Sequence, residues 1–381
     1  TQVIQVVRDK VKLEEQAAKS DTVMIKYQNK EFTIGVIEIP TFYFDFEAQA
    51  RHDKNIKSTT ADVRKLITKL QQQNNIDGII IDLRNNGGGS LQEAIRLTGL
   101  FIDKGPVVQV RQSTGYIEVE KDTDRGLFYN GPLLVMVNEY SASASEIFSA
   151  AIQDYERGLI VGSQTFGKGT VQQLVSLDRF IPGRIAGIES GGPKFGRLKV
   201  TMAKFYRVNG GSTQHRGVIP DIVYPSRHNP IEFGESSQIN ALMWDQIPAT
   251  KYRKYTDLSQ VKTKLQNRHN IRIASNQEFK YLKEDILEVK KNRSQKSISL
   301  NEAKRAQERK DLEVSRLKRL NERRATMGLP LIKKKEDSTE DLNLRDFIRD
   351  ESAHILVDMI LIENGELAIT SDKTGFKVNN H

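Results

Sequence analysis

Two side chains in the stretch Asn138–Gln172, NEYSASASEIFSAAIQDYERGLIVGSQTFGKGTVQ, have the types and setting for acyl-transfer chemistry. A hydroxyl nucleophile needs a base to take its proton, exposure at a sharp turn, and donors for the oxyanion that develops. Ser143 lies where the apolar run Pro132–Val137 gives way to a helical pattern, and its neighbours Ala142 and Ala144 leave room for a carbonyl group. Lys168 stands between Gly167 and Gly169. As a base it must be neutral, so its ordinary pKa of about 10.4 has to fall through burial. Phe166 and Val171 offer apolar cover, and Gln172 can hydrogen-bond the amine and fix its direction. The expected chemistry is hydrolysis by a serine–lysine pair without histidine.

Each feature has a plainer alternative. Ser143-x-x-Glu146 fits a capping box, so the serine cluster taken alone reads as a helix cap. Lys168 taken alone reads as a solvated loop lysine. Gly162-x-x-x-x-Gly167-Lys168 matches the opening of a phosphate-binding loop. Gly169 then stands where that motif needs Ser or Thr, and a strand pattern follows where it needs a helix. Gly87-Gly88-Gly89 reads either as a tight turn or as bare amides for an oxyanion. In the second case Gly89 and Ala144 are the natural pair of N–H donors. Asp154 falls on the same helix face as Ser143 but about 16 Å along the axis, which fits structural support. The histidines at 52, 215, 228, 269, 354 and 381 lack ligand spacing, so no metal is expected.

These residues need a scaffold, and the pattern around them supplies one. Val23–Tyr27 and Phe32–Ile39 read as a hairpin. Phe42, Tyr43, Phe44 and Phe46 read as packing residues, with a cleft lining as the alternative. Ser58 or Thr59 caps a helix whose Val63, Leu66, Ile67 and Leu70 share one face. Ile79–Leu83 is a buried parallel strand, and a glycine turn and a second helix from Ser90 follow it. Further strands are expected at 107–111, 117–120, 132–137, 159–161, 171–177 and 198–207, with a helix over 143–157 and a mobile loop at 183–196. Strands alternating with helices indicate a layered α/β core. After Pro230 the composition turns to charged helical patterns with a narrow apolar face at Leu312, Val314, Leu317 and Leu320. Residues 330–345 read as a linker, and Phe347 to Leu361 as a last helix.

Composition sets outer bounds. The 381 residues allow two or three domains, and no apolar run reaches the roughly 18 residues of a membrane span. The absence of cysteine removes disulfides and thiolate chemistry. The net charge of +9 is concentrated in residues 251–340, where 25 Lys and Arg face 13 Asp and Glu. Mixed charge on helices describes a solvated surface, so nucleic acid is not an expected partner. Thr1 is followed by no signal-like stretch.

The segments DLRNNGGG (82–89), SASASEIFSAAIQD (141–154), TFGKGTVQQ (165–173) and FYRVNGGSTQHRGVIPDI (205–222) together resemble the carboxyl-terminal processing, or tail-specific, protease family. The resemblance implies a ClpP/crotonase-like α/β core with a β-rich N-terminal part and a C-terminal helical appendage. It places the nucleophile at Ser143, the base at Lys168, a supporting glutamine at Gln172 and the oxyanion donors at Gly89 and Ala144. Gly88, Glu146, Asp154 and Thr165 fall at supporting positions. It also implies ATP-independent and metal-independent cleavage of proteins with nonpolar C-terminal tails, in the periplasm. A lipoprotein adaptor and a peripheral association with the envelope belong to the same expectation. Residues 1–20 are expected to be the remnant of a PDZ-like domain and linker, 21–228 the catalytic core, and 229–381 a charged helical domain. A catalytically idle scaffold with a degenerate protease core is the alternative.

Overall fold

The computed structural model describes residues 16–52, 56–180, 195–326, 328–334 and 346–367. Most of the remnant expected at 1–20 and most of the loop expected at 183–196 lie outside them. The chain opens with β1 (Lys19–Tyr27) and β2 (Lys30–Glu38), an antiparallel hairpin turned at Gln28 and Asn29, with Gln28 at φ 53°. The short α1 (Phe46–Ala50) precedes α2 (Thr59–Asn74), whose N-cap Ser58 accepts the Ala61 N–H. Then follow β3 (Gly78–Asp82), α3 (Leu91–Gly99), β4 (Gly105–Gln112), β5 (Ile117–Asp122), β6 (Leu133–Val137) and α4 (Ala144–Asp154). After β7 (Leu159–Gly162) come β8 (Thr170–Ser176), β9 (Arg197–Tyr206) and the short β10 (Ile222–Val223). The remainder is helical: α5 (Pro230–Phe233), a 3₁₀ turn at Glu235–Ser237, α6 (Ser259–Ser275), α7 (Gln277–Ser294), α8 (Glu302–Thr326) and α9 (Phe347–Glu363).

Among the described residues these strands form two sheets. The central one has the order β1-β2-β3-β6-β7-β10, parallel except for β1. The other is antiparallel, in the order β5-β4-β9-β8. Side chains alternate across a strand, so the continuous apolar runs of β3 and β6 serve two cores. Ile79, Ile81, Leu133, Val135 and Val137 face the core shared with α2, α3 and α4. Ile80, Leu134 and Met136 face the opposite core, shared with α9.

The described helices after residue 229 are not uniform in packing. Of the described residues of α8, Arg324 alone is buried, whereas α9 buries a nearly continuous run from Glu351 to Ile362. Each fully buried Leu or Ile contributes about 2 kcal/mol, so within the C-terminal helical part α9 forms a packed layer on the second face of the central sheet. Arg272 of α6 ties it down, with hydrogen bonds to Glu351 and to Asp358. No helix among the described residues is long and apolar enough to cross a membrane.

Candidate active site

The turn from β6 into α4 sets Ser143 in a strained conformation. Asn138 and Asn85 exchange hydrogen bonds at 2.9 Å, and Ser141 Oγ donates to the Leu83 carbonyl at 2.8 Å, so the turn is fastened to the loop after β3. Ser143 follows at φ 59°, ψ −113°, a left-handed backbone that a serine adopts only under constraint. Along residues 141–152 every residue is buried except Ser143, which is half-buried. A sharp strand-to-helix turn of this kind presents a hydroxyl outward, as a nucleophile elbow does without needing its sequence motif.

Glu146, three residues on, binds this turn to the lysine loop. Its Oε2 accepts the Ser143 N–H at 2.8 Å, the capping-box bond expected from sequence, and the Lys168 N–H at 2.9 Å. Its Oε1 accepts the Thr165 hydroxyl at 2.6 Å and the Gly167 N–H at 2.7 Å. Thr165 in turn accepts the Val218 N–H at 2.7 Å. The carboxyl is completely buried, and that burial pushes its pKa up to about 7 against the pull of these hydrogen bonds.

The glycines around Lys168 are required by close backbone contacts. Gly167 has φ 90°, and a Cβ on it would lie 2.8 Å from the His215 backbone. One on Gly169 would lie 2.6 Å from the Gln214 nitrogen. Gly169 N–H donates to Gln214 Oε1 at 2.8 Å, and His215 N–H to the Gly167 carbonyl at 2.8 Å. Lys168 is half-buried in a cleft of about 740 Å³, lined also by Phe166, Thr170, Gln172, Glu235 and Leu242. Burial, and next the Lys199 ammonium, hold its amine below the usual lysine range, while Glu235 and Glu146 pull the other way. Gln172 follows a bulge in β8 and shares the cleft wall. Among the described residues, no hydrogen bond joins the Lys168 amine to Ser143 Oγ or to Gln172, although the backbones of Ser143 and Lys168 converge on Glu146.

The glycine triplet packs directly on the Ser143 turn. Asn86 is buried and organises both: its amide donates to the Ile39 carbonyl and accepts the Gly88 N–H, while its carbonyl accepts Ala142 N–H and Ser145 Oγ. Gly88 has φ 102°, and an added Cβ would lie 2.8 Å from Ser143 Cβ and 3.1 Å from Ala144 N. Gly89 is exposed beside it, at φ 144°. Neither the Gly89 N–H nor the Ala144 N–H has an acceptor among the described residues. Two open amides next to a strained serine are what oxyanion stabilisation requires.

Asp154 lies at the far end of α4. It accepts from Arg207 at 2.6 Å and from Asn209 at 2.8 Å, holding the turn that follows β9. Sequence reasoning missed Asn86, Gln214 and Glu235; only for Asn86, between a buried strand and three glycines, was there a local signal. His215 and His228 are half-buried against the site's loops, not on the outer surface. No group of side chains among the described residues could hold a metal ion.

Comparison with known proteins identifies the family to which the chain is similar. Residues 33–224 match the model of peptidase family S41, and residues 228–361 match the C-terminal domain of tail specific protease. The chain is 42% identical to the tail-specific protease of Haemophilus influenzae over 369 residues, 96% of this chain and 50% of that protein. It is 35% identical to the carboxy-terminal-processing protease of Bartonella bacilliformis over 171 residues, 44% of this chain and 36% of that one. The chain thus spans half or less of the length of these relatives. A solved photosystem II D1 C-terminal processing protease matches with a TM-score of 0.41 and 26% identity, over 56% of this chain and 48% of that one.

Proposed function

Since this chain belongs to peptidase family S41, we propose that it is an ATP-independent serine endopeptidase with Ser143 as nucleophile and Lys168 as general base. One observation carries the reading: Glu146 Oε2 receives the backbone amides of both residues, so one buried carboxylate registers nucleophile and base against each other. The lowered pKa of Lys168 supports the same assignment, because a base must be neutral to accept a proton.

In this mechanism a substrate carbonyl enters beside Ser143, with its oxygen toward the Gly89 and Ala144 amides. Rotation of the Ser143 and Lys168 side chains brings Oγ within reach of Nζ. The hydroxyl proton passes to the amine as Oγ bonds to the carbonyl carbon. The resulting ammonium protonates the leaving amine, and the C–N bond breaks to give an acyl-enzyme. Water, deprotonated by the same lysine, attacks the ester and restores the serine. Gln172 steers the amine from the cleft wall, and Thr165, Gly88 and Asp154 hold the surrounding backbone.

We further propose that the substrates are bacterial envelope proteins with nonpolar C-terminal tails, met in the periplasm with a lipoprotein adaptor. The support is the resemblance of the motifs, and for selection by the tail also the name of the Haemophilus relative. The whole reading is tested on an unfolded protein substrate with and without a nonpolar tail. Ser143→Ala is expected to abolish cleavage, and cleavage unchanged in that variant rejects the nucleophile. Equal cleavage of nonpolar-tailed and polar-tailed substrates rejects tail selection by this chain.

A further inference from the structure

We infer that Glu235, from the helical part of the chain, is a positioning residue for Lys168, fixing the lysine loop from both sides and placing a carboxylate across the cleft from the amine. This rests on the reading of Lys168 as the base. Glu235 lies outside the S41 segment, inside the part that matches the C-terminal domain of tail specific protease.

Three hydrogen bonds make the clamp. On the N-terminal side of Lys168, Glu235 N–H donates to the Phe166 carbonyl at 2.8 Å. On the C-terminal side the link runs through Gln214, whose Nε2 donates to Glu235 Oε1 at 3.2 Å and whose Oε1 accepts the Gly169 N–H at 2.8 Å. Phe166, two residues before Lys168, and Gly169, immediately after it, are therefore both tied to Glu235, the second through Gln214. Aromatic packing holds the same segment down. Phe233 meets Phe166 edge-on at 6.2 Å and Tyr140 at 4.8 Å, so it touches the approach to Lys168 and the approach to Ser143 together.

The carboxylate also acts on the amine electrostatically. Lys168 and Glu235 line the same cleft, and the charged groups acting on the amine are Lys199 from β9, Glu146 from α4 and Glu235 from the 3₁₀ turn. Of the two acids, Glu146 already satisfies four donors with its oxygens. Glu235 lines the same cleft as the amine and favours the ammonium form. The helical part thus opposes the effect of burial and of Lys199 on the amine.

The test is the pH dependence of trace acetylation of Lys168 by acetic anhydride, read by mass spectrometry of the lysine-loop peptide. The full chain is used with Ser143→Ala in every sample, to prevent self-digestion. Glu235→Gln keeps shape and hydrogen bonding but loses the charge, and its labelling midpoint is expected to move to lower pH. Glu235→Asp keeps the charge and is expected to return the midpoint toward that of the parent. A Glu235→Gln midpoint coincident with the parent overturns the proposal. Labelling does not depend on turnover, so failure of the Ser143–Lys168 reading would show separately, as cleavage surviving in Lys168→Ala.

Discussion

Ser143 and Lys168 donate their backbone amides to a single oxygen, Glu146 Oε2, at 2.8 and 2.9 Å. The strand-to-helix turn and the glycine-flanked loop come from separate βα and ββ connections, and this carboxylate makes them one unit. Its position in the first turn of α4 also complements the positive end of that helix.

Removing the carboxylate tests that unit. Glu146→Ala strands four donors, two of them in buried bonds, and unfolding free energy is expected to fall by about 4 kcal/mol. Denaturant titration reads the loss. Cleavage of an unfolded protein should fall by about 100-fold or more, because Ser143 and Lys168, the proposed nucleophile and base, lose their common register.

The same carboxyl makes a pH-dependent contribution whose sign is fixed. Its pKa is about 7 in the fold against an ordinary 4.5. Between those values the folded chain keeps a proton that the unfolded chain has released. The stabilisation is therefore complete below pH 4.5 and is lost as pH rises through 7. Relative to Glu146→Gln, which does not titrate there, the parent should lose about 3 kcal/mol between pH 4 and pH 8. Unfolding titrations of both proteins at the two pH values measure this difference.

Gly88 has no room for a side chain. At φ 102°, with Ser143 Cβ 2.8 Å from where a methyl would lie, Gly88→Ala has to displace the nucleophile turn. A cost of about 2 kcal/mol in stability is expected. A drop in kcat exceeding the change in KM is the signature, since the displaced groups are those that meet the transition state.

Packing of α9 against the central sheet gives a prediction remote from the site. Leu356 is fully buried and lies so near Gly78 that a Cβ there would touch its side chain at 3.0 Å. Leu356→Ala should cost about 3 kcal/mol. Thermal unfolding reads it, and a change near zero would show that α9 is not a core layer.

What the sequence disclosed follows the range of the interactions. Ser143, Lys168, Gly89 and Ala144 were legible because glycines, small residues and cap patterns mark unusual backbone locally. The role of Glu146 at Ser143 was legible too, since a capping box spans three residues. Its hold on Thr165, Gly167 and Lys168 was not, because that contact joins segments brought together only by the pairing of β6 with β7. Glu235 carried no local mark at all. Alternation of strands and helices announced an α/β core, but the sheet order, and the use of α9 to cover its second face, depend on long-range packing. The apolar run of α9 announced burial without its location.

The central claim is that Lys168 serves as a neutral base for Ser143. Its most direct test is kcat/KM against pH for the parent chain beside Lys168→Arg, on one unfolded protein substrate. Arginine preserves the charge and most of the length but cannot deprotonate. The parent rate should rise with one ionisation below the usual lysine range, while Lys168→Arg should lose about 10³-fold or more at every pH. Turnover by Lys168→Arg at a rate near the parent's would contradict the account.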